Sequence, residues 1–155
     1  MSGRRSLFRL CRVVSLAAVA AVLCGSAKAG VEPTVEELKS RLASTGIGDR
    51  PRLCIQIAQQ QLVAADKSYA AAEDEQAQAA LTDVVAFSEL ARDYAIQSHK
   101  HQKQAEITVR EMIRKLTDIV HTLPHDDQPP VQDAISRLQH VRDDLLASMF
   151  PKGAK

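Results

Sequence analysis

The feature that most constrains this chain is a long segment, residues 73 to 123, in which no glycine or proline occurs. It carries two apolar stripes with helical spacing, one over residues 77–94 and the other over residues 105–123. Because no helix-breaking residue separates the stripes, the pattern predicts one continuous central helix over about residues 74–123. At about 1.5 Å per residue, such a helix would be on the order of 70 Å long.

Shorter amphipathic segments lie on both sides of this stretch. One predicts a helix over about residues 50–72, with Asp49 as its N-cap and Pro51 in its first turn, where a missing N–H is harmless. The other predicts a helix over about residues 130–149, after the loop that follows Pro124. Because both connections are short, each segment should pack antiparallel to the central helix. The sequence therefore predicts an all-α fold, an elongated antiparallel helical bundle or hairpin around the central helix.

A short helix is also predicted before these segments, over residues 34–45. Thr34 and Glu37 have the spacing of a capping box, and Gly46 provides the stop signal. The predicted organisation after residue 29 is a short helix with a linker over residues 30–49, a single helical domain over residues 50–150 and a tail over residues 151–155.

Residues 1–29 have the three parts of a secretion signal peptide. Arginines at positions 4, 5, 9 and 12 precede an apolar run over residues 13–24, and the segment closes with Ala27-Lys28-Ala29, a pattern that signal peptidase cleaves after. The apolar run has 12 residues, whereas a helix that spans a bilayer needs about 20. The sequence therefore predicts an exported bacterial protein, periplasmic or secreted, with no transmembrane anchor in its mature chain.

Removal of this segment changes the charge and the cysteine content of the chain. Five of the 20 basic residues lie in it, so the mature chain would have 15 basic and 19 acidic residues, a formal charge of −4. An acidic domain is poorly suited to neutralise phosphates, so we expect no nucleic-acid partner. Of the three cysteines only Cys54 lies after residue 29, so an intrachain disulfide is excluded in the mature chain.

No pattern typical of an active site is present in the sequence. There is no glycine-rich phosphate-binding loop, and no serine lies in a strand–turn–helix context that would expose it as a nucleophile. We therefore expect a protein that is not an enzyme and needs no cofactor.

Two groups of residues are candidate binding sites. Imidazole and carboxylate ligands suit zinc or copper, and they predict a possible metal site in the loop that contains His121, His125, Asp126 and Asp127. Basic residues are concentrated within residues 97–104, between the two apolar stripes. They predict a patch that binds an acidic partner or an anionic surface. The residues of this second group are His99, Lys100, His101 and Lys103.

Two resemblances to known proteins rest on short segments. The hairpin from Ser68 to Leu81, with small residues around the acidic bend Glu73-Asp74-Glu75, resembles the turn of a tetratricopeptide-type helix pair, although no 34-residue period recurs. More broadly, the chain resembles uncharacterised short exported all-helical bacterial proteins, through Arg52-Leu53-Cys54, Asp127-Gln128-Pro129-Pro130-Val131 and Arg142-Asp143-Asp144-Leu145-Leu146. This resemblance implies export and a helical fold, and it implies no particular chemistry.

The sequence as a whole predicts a non-enzymatic exported interaction or scaffold protein. Long helices with alanine-rich stripes offer an extended surface for a protein partner or for self-association. One alternative is a periplasmic binder of a metal or small ligand that uses residues 121–127. The other is a binder of the anionic envelope surface that uses residues 99–103.

Overall fold

The computed structural model describes residues 32–151, which belong to one compact unit. The predicted signal peptide over residues 1–29 and the tail beyond Pro151 lie outside the described residues. Five α-helices and one 3-10 turn occur in the described part, and no strand does. They are α1 (Val35–Ser44), α2 (Arg50–Ala70), α3 (Asp74–Ser98), α4 (Gln102–Thr122), the 3-10 turn His125–Asp127 and α5 (Gln128–Met149). The predicted all-α class is confirmed.

The prediction of one continuous helix over residues 74–123 is wrong. The helical stretch ends at Ser98 and resumes at Gln102, and His99 and His101 between them have φ angles of 56° and 59°. The Ser98 hydroxyl donates to the Tyr94 carbonyl and accepts from the backbone N–H of Lys100, which offers the chain hydrogen bonds outside the helix. The chain therefore turns back without any glycine or proline.

Burial explains why the chain breaks there. A straight helix would leave its two apolar stripes in two separate small cores, whereas the turn brings both stripes into one core. Val84 and Ala91 from α3 and Val109 and Leu116 from α4 are all fully buried in that core. The left-handed conformation of two histidines costs on the order of 1–2 kcal/mol each. Burial of a single valine or leucine side chain contributes about 1.5–3 kcal/mol, so the shared core outweighs the strain.

The result is a four-helix bundle made of two hairpins packed side by side. Helices α2 and α3 form one antiparallel hairpin, and α4 and α5 form the other, as the predicted order of helices requires. The second hairpin packs onto the first through α3 with α5 and through α2 with α4. The elongated arrangement depended on a continuous central helix, and the fold-back replaces it.

Polar contacts across the bundle establish the directions of the helices. On α3 and α5, Glu89 pairs with Arg137 and Arg92 pairs with Asp144, so these two helices run in the same direction. On α2 and α4, Asp66 pairs with Lys115 near the ends of the helices, while Asp49 and His101 lie 3.8 Å apart just before their beginnings. Helices α2 and α4 are therefore also parallel to each other.

Helix α1 packs on the α2–α3 hairpin through one buried side chain and one cation. The predicted capping box is present, because the Thr34 side chain and the Glu37 side chain each accept from the other residue's backbone N–H. Leu38 is fully buried. The Lys39 ammonium lies 3.2 Å from Asp83 and 5.5 Å from the centre of the Phe87 ring. These contacts hold a helix that is too short to be stable alone.

None of the described helices combines the length and the apolar character that crossing a membrane requires.

Candidate functional site

A groove lies between the parallel helices α2 and α4 in the described unit, with a volume of about 740 Å³. We call it the α2/α4 groove. Its residues come from the first two thirds of α2, from His101 and the first half of α4, and from the segment before α1. The members used below are Arg52, Ile55, Gln56, Gln59, Gln60, Val63, His101, Gln104, Ala105, Thr108 and Glu111, together with Glu32 and Pro51.

The groove forms because small and buried side chains make its floor. Pro51, Ile55 and Ala105 are buried, so they provide an apolar base between the two helices. Val63 lies on the wall and is 53% exposed, the largest exposed fraction of any aliphatic side chain among the described large hydrophobic residues. An apolar base with one exposed aliphatic wall offers contact surface to a ligand that supplies apolar groups of its own.

Ion pairs join the two helices beyond each end of the groove. Beyond one end, the Asp49 carboxylate lies 3.8 Å from His101 Nε2. Beyond the other, Lys115 Nζ lies 2.8 Å from the Asp66 carboxylate, and this hydrogen bond, with the attraction of the negative charge, raises the pKa of Lys115. Side-chain contacts therefore connect α2 and α4 beyond both ends of the groove, and the groove is the open space between these contacts.

Amide and hydroxyl groups line the walls. Gln56, Gln59 and Gln60 follow one another along α2, and Gln104 and Thr108 face them from α4. The Gln60 side chain donates to the Pro33 carbonyl at 2.8 Å. Thr108 is 3% exposed and lines the groove from α4. Gln56, Gln59 and Gln104 make no side-chain hydrogen bond to another residue within 32–151, so their amides are free to bind a ligand.

The two ends of the groove carry opposite charges. Arg52 and His101 lie at the end where α2 and α4 begin, and Glu111 lies towards the other end. Helix N-termini attract negative charge, and neither α2 nor α4 has an acidic residue in its first turn or a side-chain cap. Helices α1 and α3, by contrast, have acidic residues in their first turns. We call the positive end, formed by Arg52, His101 and the two helix N-termini, the basic end.

The structure places most of the predicted basic patch in a turn and not on a helix. His99, Lys100, His101 and Lys103 were expected on the surface of a helix, whereas the first three lie in the α3–α4 turn and only Lys103 lies in α4. All four are exposed. The Lys100 side chain lies against Gly48, so the α3–α4 turn contacts the loop between α1 and α2. Of the four, only His101 lines the α2/α4 groove.

The predicted metal-binding residues lie at the opposite end of α4. His121 is in its last turn, and His125, Asp126 and Asp127 make up the 3-10 turn that follows. Within residues 32–151, no three or more histidine, cysteine, aspartate or glutamate side chains are arranged to hold a metal ion. The structure therefore does not bring these four residues together as a ligand set.

Comparison with known proteins adds no relative. No protein family, curated protein or solved structure matches this chain. The function has to be inferred from the chemistry of the groove and of the basic end.

Cys54 and Tyr69 are buried in the core, away from the groove. Cys54 is fully buried, and desolvation raises the pKa of its thiol to about 11, so the thiol is protonated near neutral pH. The Tyr69 hydroxyl is buried without a hydrogen-bond partner, and burial, with the nearby charges of Asp74 and Asp127, raises its pKa. Neither residue lines the α2/α4 groove.

The sequence contains a sign of the groove, a row of polar residues at helical spacing on each of α2 and α4, which is less conspicuous than the apolar stripes. Gln56, Gln59 and Gln60 occur at helical spacing beside the apolar stripe of α2, and Gln104 and Thr108 occur in the same way on α4. Long amides at such positions are also typical of an ordinary solvated helix face. Only the parallel packing of α2 and α4 shows that the two polar rows face each other.

Proposed function

We propose that this chain is an exported, non-enzymatic interaction protein that binds a protein partner in the α2/α4 groove. The observation that carries the proposal is the pair of polar rows on α2 and α4, which face each other over an apolar floor and whose amides at Gln56, Gln59 and Gln104 have no hydrogen-bond partner among the described residues. Such a surface offers donors, acceptors and apolar contact together, which is what a polypeptide ligand uses.

Other ligand classes fit the groove less well. An acyl chain would leave the glutamine amides and Thr108 without hydrogen-bond partners, which is costly once water is displaced. A nucleotide or a sugar is usually held by an aromatic platform, and no aromatic side chain is among the groove residues. A polyanion would be attracted to Arg52 and repelled by Glu111.

Site-specific photocrosslinking tests this proposal. A photoreactive amino acid is placed at Gln59, an exposed residue of the groove, and in a matched control at Gln139, an exposed residue of α5. Irradiation of producing cells should give a crosslinked band, heavier than the chain, from position 59 and none from position 139. Mass spectrometry then identifies the band as another protein or as a second copy. Absence of any band from position 59, or identical bands from both positions, would overturn the proposal.

A second candidate function is supported by the basic end. His99, Lys100 and Lys103 are exposed beside Arg52 and the N-termini of α2 and α4, so positive charge is concentrated on one end of an otherwise acidic domain. This favours attraction to an anionic lipid or polymer of the envelope.

Vesicle sedimentation tests this second function. Binding to vesicles with about 30% anionic lipid should decrease steeply between about 50 and 200 mM salt, because surface charges are screened over that range. It should also increase near pH 6, where histidines become protonated. A Lys100→Glu/Lys103→Glu variant should lose the binding, while Arg41→Glu, an exposed charge on α1, should retain it. Salt-independent binding, or none, would exclude this function.

A further inference from the structure

We propose that the α2/α4 groove binds the carboxyl-terminal segment of a partner, about five residues long and extended, with its terminal carboxylate at the basic end. This inference rests on the proposed function and specifies the ligand of the same groove. Four observations support it, namely the length of the groove, its chemistry, its charge and the contacts that close one end.

The length of the groove sets the length of the ligand. On α2 the groove extends from Arg52 to Val63, which is about 16 Å along the axis at 1.5 Å per residue. An extended chain rises by about 3.3 Å per residue, so about five residues of a ligand fit along it. A helical ligand of the same length would have little more than ten residues, and its backbone groups would be paired within the helix and not with the groove amides.

The lining of the groove matches an extended main chain. Each residue of an extended segment has an unpaired N–H and an unpaired C=O, and a side-chain amide supplies both an acceptor and a donor. Gln56 and Gln59 on α2 and Gln104 on α4 project amides into the groove, and none of them hydrogen-bonds to another residue within the described part of the chain. Thr108 adds a hydroxyl to the same row on α4. Main-chain recognition of this kind requires no particular side chain of the ligand.

The charges define the direction of the ligand. Arg52, His101 and the N-termini of α2 and α4 lie at the end where a carboxylate would bind. The Asp49 carboxylate, 3.8 Å from His101 Nε2, offsets part of this charge, so Arg52 is the main cation for a ligand. Arg52 forms no ion pair with any described residue, so its guanidinium is available to a ligand. Glu111, towards the other end, is also exposed, and it would attract a positive charge near the amino end of the segment.

Contacts beyond the basic end favour a chain terminus over a continuing chain. Just past His101, the Asp49 side chain lies 3.8 Å from its imidazole, and the Lys100 side chain lies on Gly48. The α1–α2 loop and the α3–α4 turn thus meet where an extended ligand would have to continue. A segment that ends there leaves its carboxylate beside Arg52, whereas a longer chain would collide with the loop.

Binding of defined peptide pools tests the inference. Residues 30–155, which contain the whole compact unit, are immobilised and exposed to random pentapeptides with free carboxyl ends and to the same pool with amidated carboxyl ends. Peptides retained from the free pool are identified by mass spectrometry, resynthesised in both forms and measured by calorimetry. Amidation should weaken binding at least about tenfold, because it removes a charge-assisted hydrogen bond.

Matched variants assign the effect to the basic end. Arg52→Glu should abolish the difference between free and amidated peptides, whereas Arg41→Glu, an exposed arginine on α1 outside the groove, should preserve it. Acetylation of the peptide amino end should weaken binding to the unchanged protein and have no effect on Glu111→Gln. Far-UV circular dichroism checks that each variant has kept its helical content.

The outcomes separate this inference from the proposed function. Equal binding of free and amidated peptides would overturn the inference, and so would retention of no pentapeptide from either pool. In both cases the crosslink from position 59 would still decide whether the groove binds a protein. A peptide that binds in a carboxylate-dependent manner to both the unchanged protein and Arg52→Glu would likewise overturn the assignment to the basic end.

Discussion

Asp66 on α2 and Lys115 on α4 form the ion pair that joins the two parallel helices beyond the α2/α4 groove, with the carboxylate oxygen and the ammonium nitrogen 2.8 Å apart. Both side chains are substantially exposed, so the pair is open to screening by salt. Its position is informative, because it marks the register in which α2 and α4 lie beside each other next to the groove.

This ion pair should affect stability weakly and in a salt-dependent manner. Lys115→Gln should lower the Tm slightly at low ionic strength, and the difference from the unchanged protein should nearly vanish in about 1 M salt. Thermal unfolding followed by circular dichroism at both salt concentrations measures it. Arg114→Gln, at the neighbouring exposed position on α4 without an ion pair to another described residue, is the matched control and should show no salt-dependent difference. A difference for Lys115→Gln that persists in high salt would contradict the prediction.

The turn between α2 and α3 offers a stabilising substitution. Ala72 has a φ angle of 56°, and the hydrogen bonds around it, from Ala72 to Tyr69 and from Glu73 to Ser68, are those of a Schellman motif. Glycine adopts this conformation without strain, so Ala72→Gly should raise the free energy of unfolding by about 0.5–1 kcal/mol. Urea denaturation measures the change. Ala71→Gly, where φ is −91°, should instead lower the free energy of unfolding, and a loss of stability in Ala72→Gly would refute the argument.

Loss of the arginine that pairs with the buried carboxylate of Glu106 should destabilise the domain more than loss of the carboxylate itself. Glu106 is 7% exposed, its carboxylate accepts from Arg142 Nε at 3.2 Å, and Arg110 lies 3.7 Å away. Arg142→Ala leaves a buried negative charge short of a partner, and it should lower the free energy of unfolding by about 1–3 kcal/mol. Glu106→Leu removes the charge itself and should be close to neutral. Chemical denaturation of both variants is the measurement, and a larger loss for Glu106→Leu than for Arg142→Ala would contradict this account.

Cys54 should make the stability of the domain depend on pH in the alkaline range. Desolvation by burial raises the pKa of its thiol from 9.0 to about 11, so the unfolded chain ionises at this residue before the folded one does. A raised folded-state pKa contributes stability that is complete below pH 9 and is lost as the pH rises towards 11, by at most about 1.4 kcal/mol per pH unit. Urea denaturation at pH 8, 9 and 10 should show a smaller decrease for Cys54→Ala than for the unchanged protein. Parallel decreases in the two proteins would show that another group is responsible.

Local patterns in the sequence were sufficient to predict most of the helices. Apolar spacing along the chain predicts α2 and α5, and the Thr34–Glu37 capping box predicts the start of α1. These features depend on hydrogen bonds and side chains within a few residues of one another, so they can be read without knowledge of the fold. The predicted fold class follows from them directly.

The break between α3 and α4 could not be predicted in the same way. No glycine or proline occurs there, and the left-handed conformation that His99 and His101 adopt is uncommon for residues other than glycine, although histidine adopts it more often than most of them. Local preferences favour a continuous helix. The turn is selected because it places Val109 and Leu116 in the same core as Val84, a benefit that exists only after distant segments have packed together.

The sequence by itself determined which segments are helical, apart from the break at residues 99–101, which of their faces are apolar and how the short helix α1 begins, because these properties arise from neighbouring residues. Only the tertiary structure decided that α2 and α4 lie parallel, that Arg52 and His101 share one end of a groove and that Gln59 and Gln104 line the same groove. These relationships join residues about fifty positions apart. They exist because burial of one common core makes the chain fold back on itself, against the local preference for a straight helix.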